Sequence, residues 1–411
     1  MGNIKMVEGG VTAAKGFLAA GGSAGIKKNG SADMALIYSD TPCVSSGTFT
    51  TNRVKAAPVI WDKIQVESGE KAQAVVVNSG VANACTGKEG MRYCLETAET
   101  AAKAFGIGTN SVLVASTGVI GQQIPIEKIK AGITSLNETL DGGIEGGIKA
   151  AKAIMTTDTV SKEAAVAVTF SDGQTATIGG CCKGSGMIHP NMCTMLAFIG
   201  TDAAICKDML QKALSSVVPD TFNMVSVDGD TSTNDTCLLL ANGLAGNREI
   251  VSEDEDFDLF RQGLLDVCTR LAKMMAKDGE GATCLFEVKV IHADTKENAR
   301  TLARSVVSST LTKAAIAGHD ANWGRILCAL GYSGVAFDPD KVDLSFESAA
   351  GKIQILEGGV STGYSEAFAT EILSCDEITA TVDMKMGDAK AEAWGCDLTH
   401  EYVNINADYR S

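Results

Sequence analysis

The chain has 411 residues, 45% of them hydrophobic and 21% charged, enough to bury a sizeable core in two or three domains or in one large composite unit. Fifty acidic residues against 35 basic ones give a net charge of −15 with no Lys/Arg block, so a nucleic-acid-binding role has little support. Thirteen cysteines, an odd number with no CxxC and no paired Cys/His spacing, argue against a disulfide framework or a zinc site and for a reducing, cytoplasmic setting. No stretch approaches membrane-spanning length, and the beginning MGNIKMVEGGVTAAKGF holds no continuous apolar run.

In chain order, apolar alternation predicts strands over 34–40 (MALIYSD), 58–64 (PVIWDKI) and 72–80 (AQAVVVNSG). An amphipathic helix follows over 90–107, then a buried strand over 111–121 (SVLVASTGVIG) and a helix over about 144–155. EAAVAVTF and QTATIGG flank Ser171-Asp172-Gly173, the Asp-Gly signal of a hairpin. MLAFIGTDA continues as a strand, with Asp202 placed to cap the next helix, AAICKDMLQKALSSVV. A long amphipathic helix, DFDLFRQGLLDVCTRLAKMMAK, is stopped by Gly279. CLFEVKVIHA is a strand, KENARTLARSVVSSTLTKAAIAG mostly helix, NWGRILCALGYSG a helix, and the last eighty residues are rich in strands. Cys206, Cys237, Cys268 and Cys328 sit in apolar stretches and read as small core residues. The class is α/β throughout.

The stretch with the most chemistry is CCKGSGMIHPNMCTMLAFIGTDA, 181–203, where a glycine-rich loop turns into a buried strand. Read plainly, it is a turn followed by a strand. Read as a site, it offers two nucleophiles. Thr194 needs a base, and cleavage of the preceding peptide bond would supply one as its own α-amine, with a pKa of about 7.7–8. The same hydroxyl could make that cut by attacking the carbonyl of Cys193. The rival is the Cys193 thiol, with His189 four residues earlier as its partner. VASTGVIG could lend an acyl-transfer site one hydroxyl and one N–H at Thr117-Gly118. MTTDTVSK (155–162) and DGDTSTNDT (228–236) are hydroxyl- and carboxylate-rich segments that could bind a polar ligand or a cation, or simply form caps and turns. Lys183 precedes rather than follows its glycines, so KGSG is not a phosphate-binding loop, and no GxGxxG is present.

Together, KGSGMIHPNMCTML, ASTGVIGQ, MTTDT, DGDTSTND, DGEGAT, NWGRI and the closing YVNINADYRS occur in an order that resembles the ornithine acetyltransferases, the self-cleaving glutamate N-acetyltransferases of arginine biosynthesis. The resemblance runs from about residue 10 to 411. It implies a layered αββα-type sandwich like that of the N-terminal-nucleophile hydrolases, with a smaller α/β portion, 285–395, in the C-terminal half. It implies cleavage between Cys193 and Thr194 into an alpha chain, 1–193, and a beta chain, 194–411, that assemble as two copies of each. Thr194 matches the nucleophile, and Thr117 and Gly118 match the oxyanion-hole pair. Thr157, Lys183, Thr194, Glu280, Asn406 and Ser411 match substrate-binding positions.

The implied reaction takes an acetyl group from N2-acetylornithine through acetyl-threonine to glutamate, releasing ornithine and N-acetylglutamate. No metal or bound cofactor is implied, acetyl-CoA is an optional co-substrate, and neither nucleic acid nor membrane is a partner. The alternative is a self-processing threonine aminopeptidase or amidohydrolase, in which water takes the acyl group. The chain departs from the family pattern at Cys193 (usually Ala), Val81 (Asn), Ala321 (Pro), the residue before Lys162 (Pro) and Ser411 (Thr). None of these falls on Thr194, Thr117 or Gly118.

Overall fold

The computed structural model describes residues 3–189 and 195–408. The strands are β1 (Ile4–Val7), β2 (Phe17–Gly22), β3 (Met34–Phe49), β4 (Ala72–Val81), β5 (Val112–Val119), β6 (Lys162–Thr169), β7 (Thr175–Lys183) and β8 (Leu196–Thr201). They continue as β9 (Val225–Ser226), β10 (Thr236–Ala241), β11 (Leu285–Ala293), β12 (Asp343–Ser348), β13 (Gly351–Glu357), β14 (Val360–Ser361), β15 (Glu377–Asp383) and β16 (Ala389–Cys396). The helices are α1 (Ala57–Ser68), α2 (Gly87–Phe105), α3 (Ile126–Asn137), α4 (Ile144–Ala153), α5 (Lys207–Val217) and α6 (Glu255–Lys277). They end with α7 (Lys296–Val307), α8 (Thr310–Ala317), α9 (Trp323–Gly331), α10 (Glu366–Leu373) and α11 (His400–Ala407).

The chain divides into two compact units. The first comprises Met1–Gly184, Asn191–Pro219 and Thr231–Leu271; the second comprises Ser185–Pro190, Asp220–Asp230 and Ala272–Ser411. The first unit is built on a sheet in the order β1-β6-β7-β8-β10-β3-β4-β5, with β2 also paired to β3. β3 is long enough to serve twice: residues 34–38 pair with β2 and β4, while 44–49 pair with β10. The sheet thus folds over on itself. Ala35 and Ile37 of β3, Val75 and Val77 of β4, and Leu113 and Ala115 of β5 share one core with Cys181, Leu196, Phe198, Leu238 and Leu240 from β7, β8 and β10.

The alternate residues of the first layer, Leu36, Val76, Val112 and Val114, meet Cys94, Ala98 and Ala101 of α2 and Ile129 and Ile133 of α3. On the outer face of the second layer, a Cβ on Gly263 of α6 would overlap Val168 of β6 and crowd Ile178 of β7. Helix, sheet, sheet, helix: this is the αββα sandwich, produced by strict period-two alternation in which both faces are apolar. The second unit carries its own sheet, β14-β13-β12-β15-β11-β16-β9. α7 lies on β11 and β16 through Ala299, Leu302, Ala303, Val306 and Val307, one helical stripe capped by Thr295, whose hydroxyl accepts the Asn298 N–H at 3.1 Å.

Several sequence expectations change. PVIWDKI is helical, the core of α1: Pro58 stands in the first turn, where its missing N–H costs nothing, and Gly69 closes the helix in the left-handed region at φ +82°. Asp202 caps no helix, because α5 starts at Lys207 with Cys206 before it; the carboxylate accepts instead the N–H groups of Thr177 (2.7 Å) and Lys15 (3.0 Å). Cys237 and Cys268 are buried, but Cys206 is half-buried and Cys328 exposed. The helical run over 296–318 breaks at Ser308-Ser309, where the Ser309 hydroxyl caps α8.

Glu163 on β6 has one carboxylate oxygen, Oε1, buried with no hydrogen-bond partner, and burial pushes its carboxyl up to about 7 against the pull of Lys152. Between its ordinary value of 4.5 and about 7 the folded chain keeps a proton that the unfolded chain releases, so stability falls as pH rises through that window and levels off above it. Thermal melts of Glu163→Gln should therefore gain on wild type between the acid end of this window and mildly alkaline pH. A constant or shrinking difference would refute this.

Candidate active site

Those of the expected site residues that the structure describes fall into two sets, each inside one unit. In the first unit, β5 is the edge of its sheet, so its outward backbone groups need partners other than a strand. α1 supplies them. The Trp61 indole donates to the Val112 carbonyl at 2.9 Å, and Asp62 Oδ1 accepts the Val114 N–H at 2.8 Å. Asp62 is fully buried, which pushes its carboxyl well above the ordinary range despite that hydrogen bond. Clamped in this way, it fixes the strand that ends in Thr117-Gly118.

At that end the β4–β5 register slips, with Val81 opposite both Thr117 and Val119, a bulge that re-aims the strand. Gly118 sits at φ +129°, and any Cβ there would overlap the backbone of Gly80. Only glycine fits, so the N–H next to Thr117 is presented by a backbone that no other residue could adopt. Lys183, at the end of β7 and 7% exposed, brings its Nζ to 3.5 Å from Thr117 Oγ1, the outer limit of a hydrogen bond.

Behind this pair lies a buried ionic cluster that the sequence did not disclose. Asp158, next to Thr157 in MTTDT, accepts Lys162 Nζ at 2.7 Å, the Gly184 N–H at 2.7 Å and the Thr156 N–H at 3.0 Å. Burial alone would raise its carboxyl. Lys183 and Lys162 outweigh that and hold it at about 2. Lys27 joins from the loop before β3, donating to the Ala32 and Met155 carbonyls at 2.8 Å each, with burial lowering its ammonium. The loop is itself held by Asp33, which accepts the N–H groups of Ala24, Ile26 and Lys27. Thr157 is half-buried on the bend that follows α4. The one legible signal was the Asp158–Lys162 spacing of four in a hydroxyl-rich segment.

In the second unit, Glu280 is buried between Gly279 and Gly281, and its Oε2 accepts Asn406 Nδ2 at 2.7 Å. Its N–H donates to the Ser185 carbonyl at 2.9 Å, and its carboxylate occupies the space a side chain at Gly186 would need. Asp228 accepts the N–H groups of Met187 (2.6 Å) and Ile188 (2.9 Å), and burial raises its carboxyl. His189 is bound on both nitrogens. The Arg304 guanidinium, a donor only, lies 3.0 Å from Nε2, which leaves Nδ1 to donate to Ser226 Oγ at 3.0 Å. Burial first, then Arg304, bring the imidazole down to about 4, so it stays neutral and supplies no cation to activate a thiol. Cys193, the rival nucleophile weighed with it, lies outside the described residues.

Thr117, Gly118 and Lys183 are thus brought together in one unit, and Glu280 and Asn406 in the other. Cys193, Thr194 and Ser411 lie outside the described residues. Among the described residues no group of three or more His, Cys, Asp or Glu is arranged to hold a metal ion, and no helix is long and apolar enough to cross a membrane. The buried pair gives a direct test. Lys162→Met strips Asp158 of its nearest cation and should cost about 3–5 kcal/mol in urea unfolding, a loss that the double variant with Asp158→Asn partly recovers. A loss below about 1 kcal/mol would refute the ionic account.

The ArgJ family model matches residues 18–411. The protein of Symbiobacterium thermophilum named arginine biosynthesis bifunctional protein ArgJ is 50% identical over 410 residues, covering 99% of this chain and 100% of the relative. The protein of the same name from Caldanaerobacter subterraneus is 50% identical over 409 residues, again 99% and 100%. Among solved structures, ArgJ of Bacillus halodurans aligns at 44% identity with a TM-score of 0.49, covering 51% of this chain and 97% of that one. An ornithine acetyltransferase from Mycobacterium tuberculosis, complexed with ornithine, aligns at 42% with a TM-score of 0.42, covering 46% and 98%. With the family model running to the last residue and relatives matched over their whole length at half identity, this chain belongs to the ArgJ family.

Proposed function

We propose that the chain is a self-cleaving acetyltransferase that moves the acetyl group of N2-acetylornithine to glutamate in the cytoplasm. The observation that carries the reading is the Thr117-Gly118 bulge with the Lys183 ammonium beside it, found in a chain of this family. Maturation begins when Thr194 Oγ attacks the carbonyl carbon of Cys193. The peptide C–N bond breaks, the nitrogen takes up the hydroxyl proton, and water hydrolyses the resulting ester. Residues 1–193 then end in a carboxylate and residues 194–411 begin with a free threonine, whose amine is the base its hydroxyl needs.

Transfer follows in two halves. Thr194 Oγ attacks the acetyl carbon, the developing oxyanion meets the Thr117 hydroxyl and the Gly118 N–H, and ornithine leaves with the proton. The amine of glutamate then attacks acetyl-Thr194 and departs as N-acetylglutamate, restoring the enzyme. The substrates carry an α-carboxylate, and acetylornithine adds a distal ammonium. Lys183 and Glu280 supply the complementary charges, while Thr157, Asn406 and Ser411 orient the ligand. No bound cofactor takes part.

The name that the relatives carry, bifunctional, supports a second activity in which acetyl-CoA donates the acetyl group. Cleavage into two chains and assembly as two copies of each complete the proposal.

The intact mass of wild type beside Thr194→Ala, under denaturing conditions, tests the first step. Wild type should give two chains meeting at 193/194 and the variant one; an uncut wild type ends the proposal. Thr117→Ala should lower kcat for acetyl transfer about a hundredfold with little change in KM. Acetyl-CoA and glutamate supplied without acetylornithine should yield N-acetylglutamate, and none above background would reject the second activity.

A further inference from the structure

One carboxylate in the first unit holds two stretches of chain that the proposed function gives to the substrate. Asp158 Oδ2 accepts the Thr156 N–H at 3.0 Å, so Thr157 stands inside a bend closed by the side chain of the next residue. Asp158 Oδ1 accepts the Gly184 N–H at 2.7 Å, and that nitrogen is bonded directly to the carbonyl carbon of Lys183. Lys183 itself is registered against Leu196 of β8. Its backbone is thus fixed by the strand ladder and, one atom beyond, by the same carboxylate that closes the bend around Thr157.

The charges leave the Lys183 ammonium with donors to spare. Lys162, its side chain fully buried, is the contact partner of Asp158, Nζ to Oδ1 at 2.7 Å. Among the described residues no carboxylate oxygen lies within 4.0 Å of Lys183 Nζ, and its hydrogen bond there is the long one to Thr117 Oγ1, at 3.5 Å. An ammonium has three N–H donors, so most of its capacity is unspent. Burial would raise the Asp158 carboxyl, but the field of Lys183, ahead of that of Lys162, helps bring it down to about 2. Lys183 therefore has a countercharge close enough to feel and too far to occupy it.

We infer that Asp158 is a positioning residue for the substrate's α-carboxylate: by gripping the Thr156 and Gly184 N–H groups with one side chain it sets Thr157 and Lys183 relative to each other, while Lys162 takes the ion-pair contact that would otherwise tie Lys183 up. This rests on the function proposed above, in which Lys183 and Thr157 bind the substrate. Lys27 braces the same bend from the other side. Its Nζ donates to the Met155 carbonyl at 2.8 Å, and its stem lies against Gly80, the residue on whose backbone Gly118 packs. A cation that meets a carboxylate through charge-assisted hydrogen bonds gains most when its position is set in advance.

Charge and grip can be separated by substitution. An amide in place of the carboxylate accepts one of the two N–H groups and turns an NH2 donor toward the other. Three full-length variants are measured for urea unfolding and for KM and kcat with N2-acetylornithine. Asp158→Asn should raise KM about tenfold or more while kcat stays within about threefold, the pattern of lost uniform binding. Lys162→Met keeps the carboxylate and both N–H contacts, so it should lose stability yet hold KM within about twofold. The double variant should regain stability while its KM stays as high as that of Asp158→Asn. A carboxylate with a merely structural role requires the reverse, KM following stability through the series. An unchanged KM in Asp158→Asn, a loss confined to kcat, or a KM that returns to the wild-type value in the double variant would each overturn the inference. If Asp158→Asn alone does not fold, the double variant set beside Lys162→Met decides by the same criterion. A wild type that transfers no acetyl group would instead reject the underlying function.

Discussion

β3 runs without interruption from Met34 to Phe49, and both layers of the first unit hang from it. Because one strand pairs first with β2 and β4 and then with β10, the two layers cannot slide independently; a one-residue slip in either would turn apolar side chains out of the shared core. The candidate residues inherit this rigidity. Thr117-Gly118 ends β5, two strands from β3 on one side. Lys183 ends β7, and β8 begins at Leu196 on the other. A site assembled from strand ends is held to tighter tolerances than one built on free loops.

The same unit treats its buried carboxyls in opposite ways, and the partners decide which. Asp158 has two lysines and two N–H donors and remains ionised. Asp62 has a single N–H and Asp235 no cation in contact, and burial pushes both upward. Desolvation penalises a charge by several kcal/mol, and one neutral hydrogen bond returns only about 1, so a lone dipole cannot keep a buried carboxylate ionised where a pair of cations can. Asp158 thus keeps its charge beside Lys183, while burial pushes Asp62 and Asp235 the other way.

Most of the sheet was legible because its signal is local. Alternation in AQAVVVNSG or the Asp-Gly turn at 172–173 needs only neighbouring residues. PVIWDKI misled because seven residues of mixed polarity fit either period, and the deciding fact, Pro58 in a first turn, is a boundary effect. Thr117-Gly118 carries no pattern that announces a bulge; family resemblance picked it out, and the overlap of a Cβ with Gly80 explains it. Contacts such as Glu280 with Asn406, 126 residues apart, or Lys27 with Met155, 128 apart, leave no trace in any window of sequence. The contact of His189 with Arg304, 115 residues apart, is equally silent there.

In the strand order β7-β8-β10-β3 the two outer strands precede the 193/194 junction and the two inner ones follow it, so strands from both sides pair with each other. A cut there leaves every ladder hydrogen bond between these strands intact but changes the molecularity of unfolding. One chain unravelling is first order; two interleaved chains must also separate, and the apparent melting point then depends on protein concentration. Refolding becomes a meeting of two half-sheets, each exposing unpaired edges on long apolar strands, which favours aggregation over return. Cleavage at this junction would thus make the native sandwich a state formed once, while the chain is whole, and kept afterwards by the height of the barrier to its loss.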